Sequence, residues 1–191
     1  MTDIVLFHHA QGLTAGIEAI AYQLGAAGHS VTVPDLYGGA TFPTIEGGVA
    51  HADEIGFEEL IAKGEEAASK LSHQIVYAGF SLGALISHKL AQTREGALGA
   101  LLYHHGDVPV ATFGEGWPEG VDIQIHVSED DEFYEAEIVE EFIETAGEKG
   151  DAELFTYPGS AHLFADYTLP GYEPASAELL MERTLDFLDR H

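Results

Sequence analysis

Apolar residues recur along this chain in two alternating rhythms. Short, nearly continuous apolar runs of strand length fall at residues 3–8, 30–33, 74–78, 98–103, 122–127 and 152–157. Between them lie stretches with the three-to-four-residue spacing of a helix buried on one face. Residues 15–27 carry Ile17, Ile20, Ala21 and Leu24 at that spacing and stop at Gly28. Residues 53–71 carry Ile55, Leu60, Ile61, Ala67 and Leu71. A third helix is predicted from Leu82 to about 92, a fourth over 135–146 with Ile138, Val139, Phe142 and Ile143 on one face, and a last over 174–188. Apolar strands separated by helices predict an α/β fold: one mainly parallel sheet covered by helices on both faces. Three connections, 37–48, 106–120 and 158–174, are long and rich in glycine and proline. They are candidate pocket walls, with Tyr37, Phe42, Trp117 and Tyr167 among their large side chains.

Length and charge narrow the picture. At 191 residues, with no composition shift or repeat, a single domain over 1–191 is expected. There is no cysteine, which excludes disulfides and thiol chemistry. The chain has 33 acidic against 7 basic side chains, a formal charge of −26. Nucleic acids and anionic membranes carry the same sign and are excluded as expected partners. Small anionic substrates are disfavoured for the same reason. The opening Met1-Thr2-Asp3 lacks the basic start of a secretory signal, and no apolar run reaches spanning length. The expected compartment is the cytoplasm.

The candidate chemistry centres on Gly79-Phe80-Ser81-Leu82-Gly83. A strand precedes it and a helix pattern follows, the context of a Gly-x-Ser-x-Gly turn that lifts a nucleophilic serine above a sheet edge. Such a turn also places the Leu82 N–H at a helix start, where an oxyanion can be held. A serine hydroxyl needs a base, and the base an orienting acid. Either Asp130 or Asp131, just past the fifth strand, can supply the acid. His162, in the loop after the last strand, is the candidate base. The second oxyanion donor is expected in the loop after the first strand, near Ala10, with Gly12 letting that loop fold close. Histidine pairs follow two strands: His8 and His9, then His104 and His105. Strand carboxyl ends gather ligands in a parallel sheet, so His9, Gln11, Tyr37 and His105 are candidate pocket residues. A histidine metal site including Asp107 is the rival reading, although the spacing matches no standard metal motif. No metal and no cofactor are expected. His126, mid-strand, is expected to be structural.

Taken together, His9-Ala10-Gln11-Gly12, Pro34-Asp35-Leu36-Tyr37, Gly79-Phe80-Ser81-Leu82-Gly83, His126 to Phe133, Gly159-Ser160-Ala161-His162 and the closing 182–188 segment resemble the dienelactone hydrolase family of α/β-hydrolases. The resemblance spans nearly the whole chain. It implies a three-layer α/β-hydrolase fold without a lid domain and a Ser81–His162–Asp131 triad, favouring Asp131 over Asp130. Three departures stand out. Founding members carry cysteine where this chain has Ser81, and a glutamate after the first strand where it has His9. They hold an anionic lactone with arginines, and the C-terminal one falls near Asp166 here. The expectation is a serine hydrolase of a neutral ester or lactone. The alternatives are a hydrolase-fold binding protein without catalysis, or a thioesterase or peptidase of the same fold.

Overall fold

A computed structural model describes residues 1–71, 73–105 and 108–191. Six strands, β1 (Asp3–Phe7), β2 (Ser30–Thr32), β3 (Ile75–Phe80), β4 (Ala97–Tyr103), β5 (Asp122–Ser128) and β6 (Ala152–Tyr157), form one sheet in the order β2-β1-β3-β4-β5-β6. Every pairing is parallel. Strand alternation explains the two faces. In β1, Val5 and Phe7 point into one core cluster while Ile4 and Leu6 point into the other. In β3, Ile75 and Tyr77 take the first side and Val76, Ala78 and Phe80 the second.

The helices divide accordingly. Helix α1 (Ala15–Ala26) and α6 (Pro174–Leu188) bury Ile17, Leu24, Leu180 and Phe187 on one face. Helices α3 (Phe57–Ser69), α4 (Leu82–Thr93) and α5 (Ala136–Gly147) bury Leu60, Leu90, Val139 and Phe142 on the other. The chain therefore has the expected single-domain, three-layer α/β architecture.

One expected helix is in fact two. The pattern over 53–71 reads as a single element, but α2 (Ile45–Ile55) ends at Gly56 and α3 begins immediately after it. Gly56 has φ +91° and ψ 136°, a conformation that side-chain-bearing residues avoid, so the axis turns there. The start of α2 also lies inside the stretch 37–48 that reads as loop. Thr44 caps it by accepting from the Gly47 N–H at 3.2 Å. The glycines at 47 and 48 weaken the helical signal, and Gly48 is required: a Cβ there would lie 2.0 Å from the Ala10 carbonyl oxygen.

The strand order fixes where a site can form. From β1 the chain moves outward to β2 through α1, then crosses to β3 on the other side through α2 and α3. That reversal opens a crevice between the carboxyl ends of β1 and β3. At this point the backbones of β1 and α4 nearly touch. A Cβ on Gly83 would lie 2.4 Å from the Phe7 carbonyl oxygen, and one on Gly79 would lie 2.2 Å from the Gly83 carbonyl oxygen. Both clashes are with backbone, which cannot swing aside. Gly83→Ala should therefore destabilise the fold by about 1–3 kcal/mol or more, read as a lower urea midpoint. A midpoint equal to wild type would contradict this account of the crossing.

Candidate active site

Ser81 stands at the β3–α4 junction with φ +51° and ψ −109°. A non-glycine residue with positive φ costs on the order of 1–3 kcal/mol. The neighbouring backbone holds it there: its N–H donates to the Tyr103 carbonyl at 2.9 Å, and its carbonyl accepts from the Ala84 N–H at 2.8 Å. The hydroxyl is thereby presented to the crevice, hydrogen-bonded to His162 Nε2 at 2.8 Å. His162 Nδ1 lies 2.7 Å from Asp131 Oδ2. An Nδ1–H donating to the carboxylate leaves Nε2 to accept the serine proton.

The loops that bring these groups together are tied to one another. The Ser128 hydroxyl donates to the Ala161 carbonyl at 2.7 Å, and the Asp130 N–H donates to the Gly159 carbonyl at 3.0 Å. Asp131 Oδ1 accepts from the Phe133 N–H at 3.0 Å, which fixes the carboxylate plane. Of the two candidate carboxylates, Asp131 is buried against His162 and Asp130 is exposed. The Phe133 ring packs on His162 with centroids 4.6 Å apart.

Ser81 opens into a cavity of about 340 Å³ lined by Ala10, Leu82, His104, His105, Phe133 and His162. Helices α2, α3 and α4 complete it with Ile45, Val49, Ala52, Asp53, Phe57, Leu60 and Leu85. No lysine or arginine is among these residues; Asp53 is the single carboxylate. The arginines act elsewhere. Arg94 donates to the Tyr77 hydroxyl and the Ala68 carbonyl, Arg183 lies over the Phe155 and Tyr157 rings, and Arg190 pairs with Glu153. Ala10 and Leu82 border the cavity with their backbone N–H groups unbonded among the described residues.

The expected pocket residues separate. His105 lines the cavity, with its Nε2 3.2 Å from His88 Nδ1. His9, Gln11 and Tyr37 do not line it. His9 is fully buried below the β1 loop, against Asp166. The Gln11 amide donates to the Phe42 carbonyl, and the residue borders a smaller adjoining recess on the other side of His162. Tyr37 is packed among His8, Phe42 and His51 as core. The loop aromatics Trp117 and Tyr167 also lie away from the cavity; Trp117 is buried and donates to the Val121 carbonyl. The walls that sequence reasoning missed come from α2 and α3. Their signal was present in Ile45, Val49, Phe57 and Leu60, but the glycines at 47, 48 and 56 obscured it. Asp107 of the rival metal reading lies outside the described residues. Among the described residues no group of three or more histidine, aspartate or glutamate side chains could hold a metal ion.

His8 and His126 serve the fold. The His8 ring donates from Nδ1 to the His9 carbonyl at 2.8 Å and accepts at Nε2 from the Leu36 N–H at 3.1 Å. Burial pushes its pKa down to about 4. His126 bridges the Tyr157 hydroxyl and the Gln124 amide and is pushed down to about 3 by burial. Burial also lowers His88 to about 4, and takes His104 and His105 well below the ordinary histidine value.

The whole chain, residues 1–191, matches the dienelactone hydrolase family. No curated protein matches the sequence. Solved structures share the fold at low identity. A Klebsiella pneumoniae protein assigned as a dienelactone hydrolase superposes with a TM-score of 0.81 at 17% identity, covering 100% of this chain and 88% of that one. A dienelactone hydrolase-like promiscuous phosphotriesterase from metagenomic libraries gives 0.77 at 16% identity, covering 100% and 86%. Thermogutta terrifontis esterase 2, phosphorylated by paraoxon, gives 0.66 at 17% identity, covering 98% and 81%. Among the described residues no helix is long and apolar enough to cross a membrane.

Five of the buried histidines, His8, His88, His104, His105 and His126, make a prediction about stability. Each has a folded pKa below its unfolded value near 6.5, so the unfolded chain binds more protons between about pH 4 and 6.5. Their contribution is complete above pH 6.5 and is lost as pH falls toward 4, by up to about 1.4 kcal/mol per pH unit for each histidine. Urea midpoints should drop between pH 7 and pH 5, before most carboxylates titrate. Equal midpoints at the two pH values would contradict the neutral assignment. The sequence, the sheet order and the Ser81 crevice converge on one conclusion: this chain belongs to the dienelactone hydrolase family, hydrolases that act on ester bonds.

Proposed function

We propose that the protein hydrolyses a small, neutral carboxylic ester or lactone through an acyl-enzyme on Ser81. The observation that carries this reading is the unbroken string from Asp131 Oδ2 through the His162 ring to Ser81 Oγ, at 2.7 and 2.8 Å. Ser81 Oγ attacks the carbonyl carbon while His162 Nε2 takes its proton. Asp131 holds the ring in the needed tautomer and stabilises the imidazolium. The N–H groups of Leu82 and Ala10 receive the developing oxyanion. His162 then protonates the leaving alcohol. In the second half of the cycle it removes a proton from water, which attacks the acyl carbon and frees Ser81.

The cavity supports the substrate class. Its volume of about 340 Å³ lies at the small end for ligand sites. Its walls are mostly apolar, and it offers no cation to hold a carboxylate. An anionic dienelactone would also meet Asp53 and an acidic protein field.

Ser81→Ala should fold as wild type and lose on the order of 10⁴-fold or more in kcat. The measurement is a panel of p-nitrophenyl esters and lactones, run on both proteins. Paraoxon supplies a second readout, because it should phosphorylate wild type at Ser81 and leave the variant unlabelled. Turnover retained in Ser81→Ala would overturn the mechanism. Dienelactone hydrolysed as fast as short neutral esters would overturn the substrate class and leave the mechanism standing.

A further inference from the structure

Beneath the cavity lies a second Asp–His string that the mechanism does not use. Asp166 and His9 are both buried, 1% and 0% exposed. The His9 Nε2–H donates to Asp166 Oδ2 at 3.0 Å. That leaves Nδ1 without a proton, and it accepts the Gln11 N–H at 3.2 Å. The Gly12 N–H donates to the His9 carbonyl at 3.0 Å. Both amides that follow Ala10 are therefore consumed by His9. The Ala10 N–H makes no hydrogen bond among the described residues, and Ala10 borders the cavity beside Ser81.

Asp166 is itself held at all four acceptor positions. Oδ2 also accepts from the Thr14 hydroxyl, and Oδ1 accepts from the Thr168 N–H at 2.8 Å and the Thr168 hydroxyl at 2.5 Å. Burial opposes the ionised carboxylate, but the hydrogen bonds from His9, Thr14 and Thr168 outweigh it and lower its pKa to about 2. The space for the carboxylate is provided by Gly16 in the first turn of α1, where a Cβ would lie 1.8 Å from Oδ1. Asp166 sits four residues beyond His162 on the same connection. One carboxylate thus joins the base loop, the β1 loop and the start of α1.

We infer that His9, clamped by Asp166, is a positioning residue that leaves Ala10 N–H as the oxyanion donor of the β1 loop and locks that loop in register with the loop carrying His162. His9 does not line the cavity and touches no reacting atom, so it acts through the backbone. An imidazole suits the task because it donates at one end and accepts at the other. Without the clamp, the Gln11 N–H loses its oriented acceptor, and the peptide preceding Ala10 is held only through the His9 carbonyl, which accepts from the His8 Nδ1–H and the Gly12 N–H. Displacing such a donor by about 1 Å costs catalysis far more than binding. This inference rests on the reading of Ala10 as an oxyanion donor.

The test uses Asp166→Ala, which removes the clamp, and Gly16→Ala, which displaces the carboxylate while keeping every hydrogen-bonding group. Alanine is the better helix former, so the second variant carries only the local clash. Both should lower kcat for a p-nitrophenyl ester about 10- to 100-fold, with KM within twofold. The rate of Ser81 phosphorylation by paraoxon should fall with kcat, and Asp166→Asn, which keeps an acceptor for His9, should recover part of the loss. Folded variants with unchanged kcat, or with only KM raised, would overturn the inference. Wild-type protein gives an independent readout should the variants fail to fold. The ¹⁵N resonances of the His9 ring should show a protonated Nε2 and a bare, hydrogen-bonded Nδ1, and the opposite tautomer would overturn the clamp. Ser81→Ala is run alongside. Turnover that survives in it defeats the catalytic reading, whereas Ser81-dependent turnover that survives in Asp166→Ala and Gly16→Ala defeats the clamp alone.

Discussion

The whole site depends on how closely two backbones approach where β1, β3 and the start of α4 meet. Gly83 lies against the carbonyls of Phe7 and His8, and Gly79 against the carbonyl of Gly83. No side chain fits at either position. This contact fixes the angle at which α4 leaves the sheet and holds Ser81 in a backbone conformation it would not choose alone. The strain has a structural consequence: the Ser81 hydroxyl reaches His162, and Leu82, at the first position of α4, borders the same cavity. Burial of the surrounding strands supplies the stability against which that local cost is set.

Around this point the structure repeats one device, a carboxylate orienting an imidazole. Asp131 orients His162 toward a hydroxyl, and Asp166 orients His9 toward a backbone amide. Of the first pair His162 borders the cavity, and neither member of the second lines it. Both carboxylates take further hydrogen bonds that fix their planes, Asp131 from Phe133 and Asp166 from Thr14 and Thr168. His162 and Asp166 lie on one connection, so the imidazole at Ser81 and the carboxylate at His9 are carried by the same segment.

Charge is partitioned sharply. The chain carries 33 acidic side chains, yet its core near the site is built with neutral histidines. His88 is surrounded by Phe113, Trp117 and Phe142, and His104 by Phe80 and Phe164. Burial keeps these rings uncharged. The three arginines bind carbonyl, hydroxyl, aromatic and carboxylate groups remote from Ser81. A cavity lined by no lysine or arginine, inside a strongly acidic protein, is the basis for proposing neutral esters rather than carboxylate-bearing ones.

The sequence by itself determined the α/β layering, the position of the Ser81 turn and the loop that carries His162. These are local signals: short, nearly continuous apolar runs, period-3.6 apolar patterns, and glycines at fixed offsets from a serine. It also determined the absence of thiol chemistry and the sign of the protein's field. The residues alone left Asp130 and Asp131 open and the family resemblance favoured Asp131; the tertiary structure shows it to be Asp131 that lies 2.7 Å from His162, because adjacent acidic residues in a turn differ in which one faces a loop about thirty residues away. The pocket walls were likewise decided in three dimensions. Gly48 serves close approach and Gly56 a sharp turn, and together with Gly47 they weaken the helical periodicity of α2 that would have announced Ile45, Val49 and Ala52 as lining. His9 and Asp166 are 157 positions apart, and each is ordinary where it stands in the chain. Their pairing exists only because the connection after β6, at the far edge of the sheet, runs back to the end of β1, where a buried donor must find a buried acceptor.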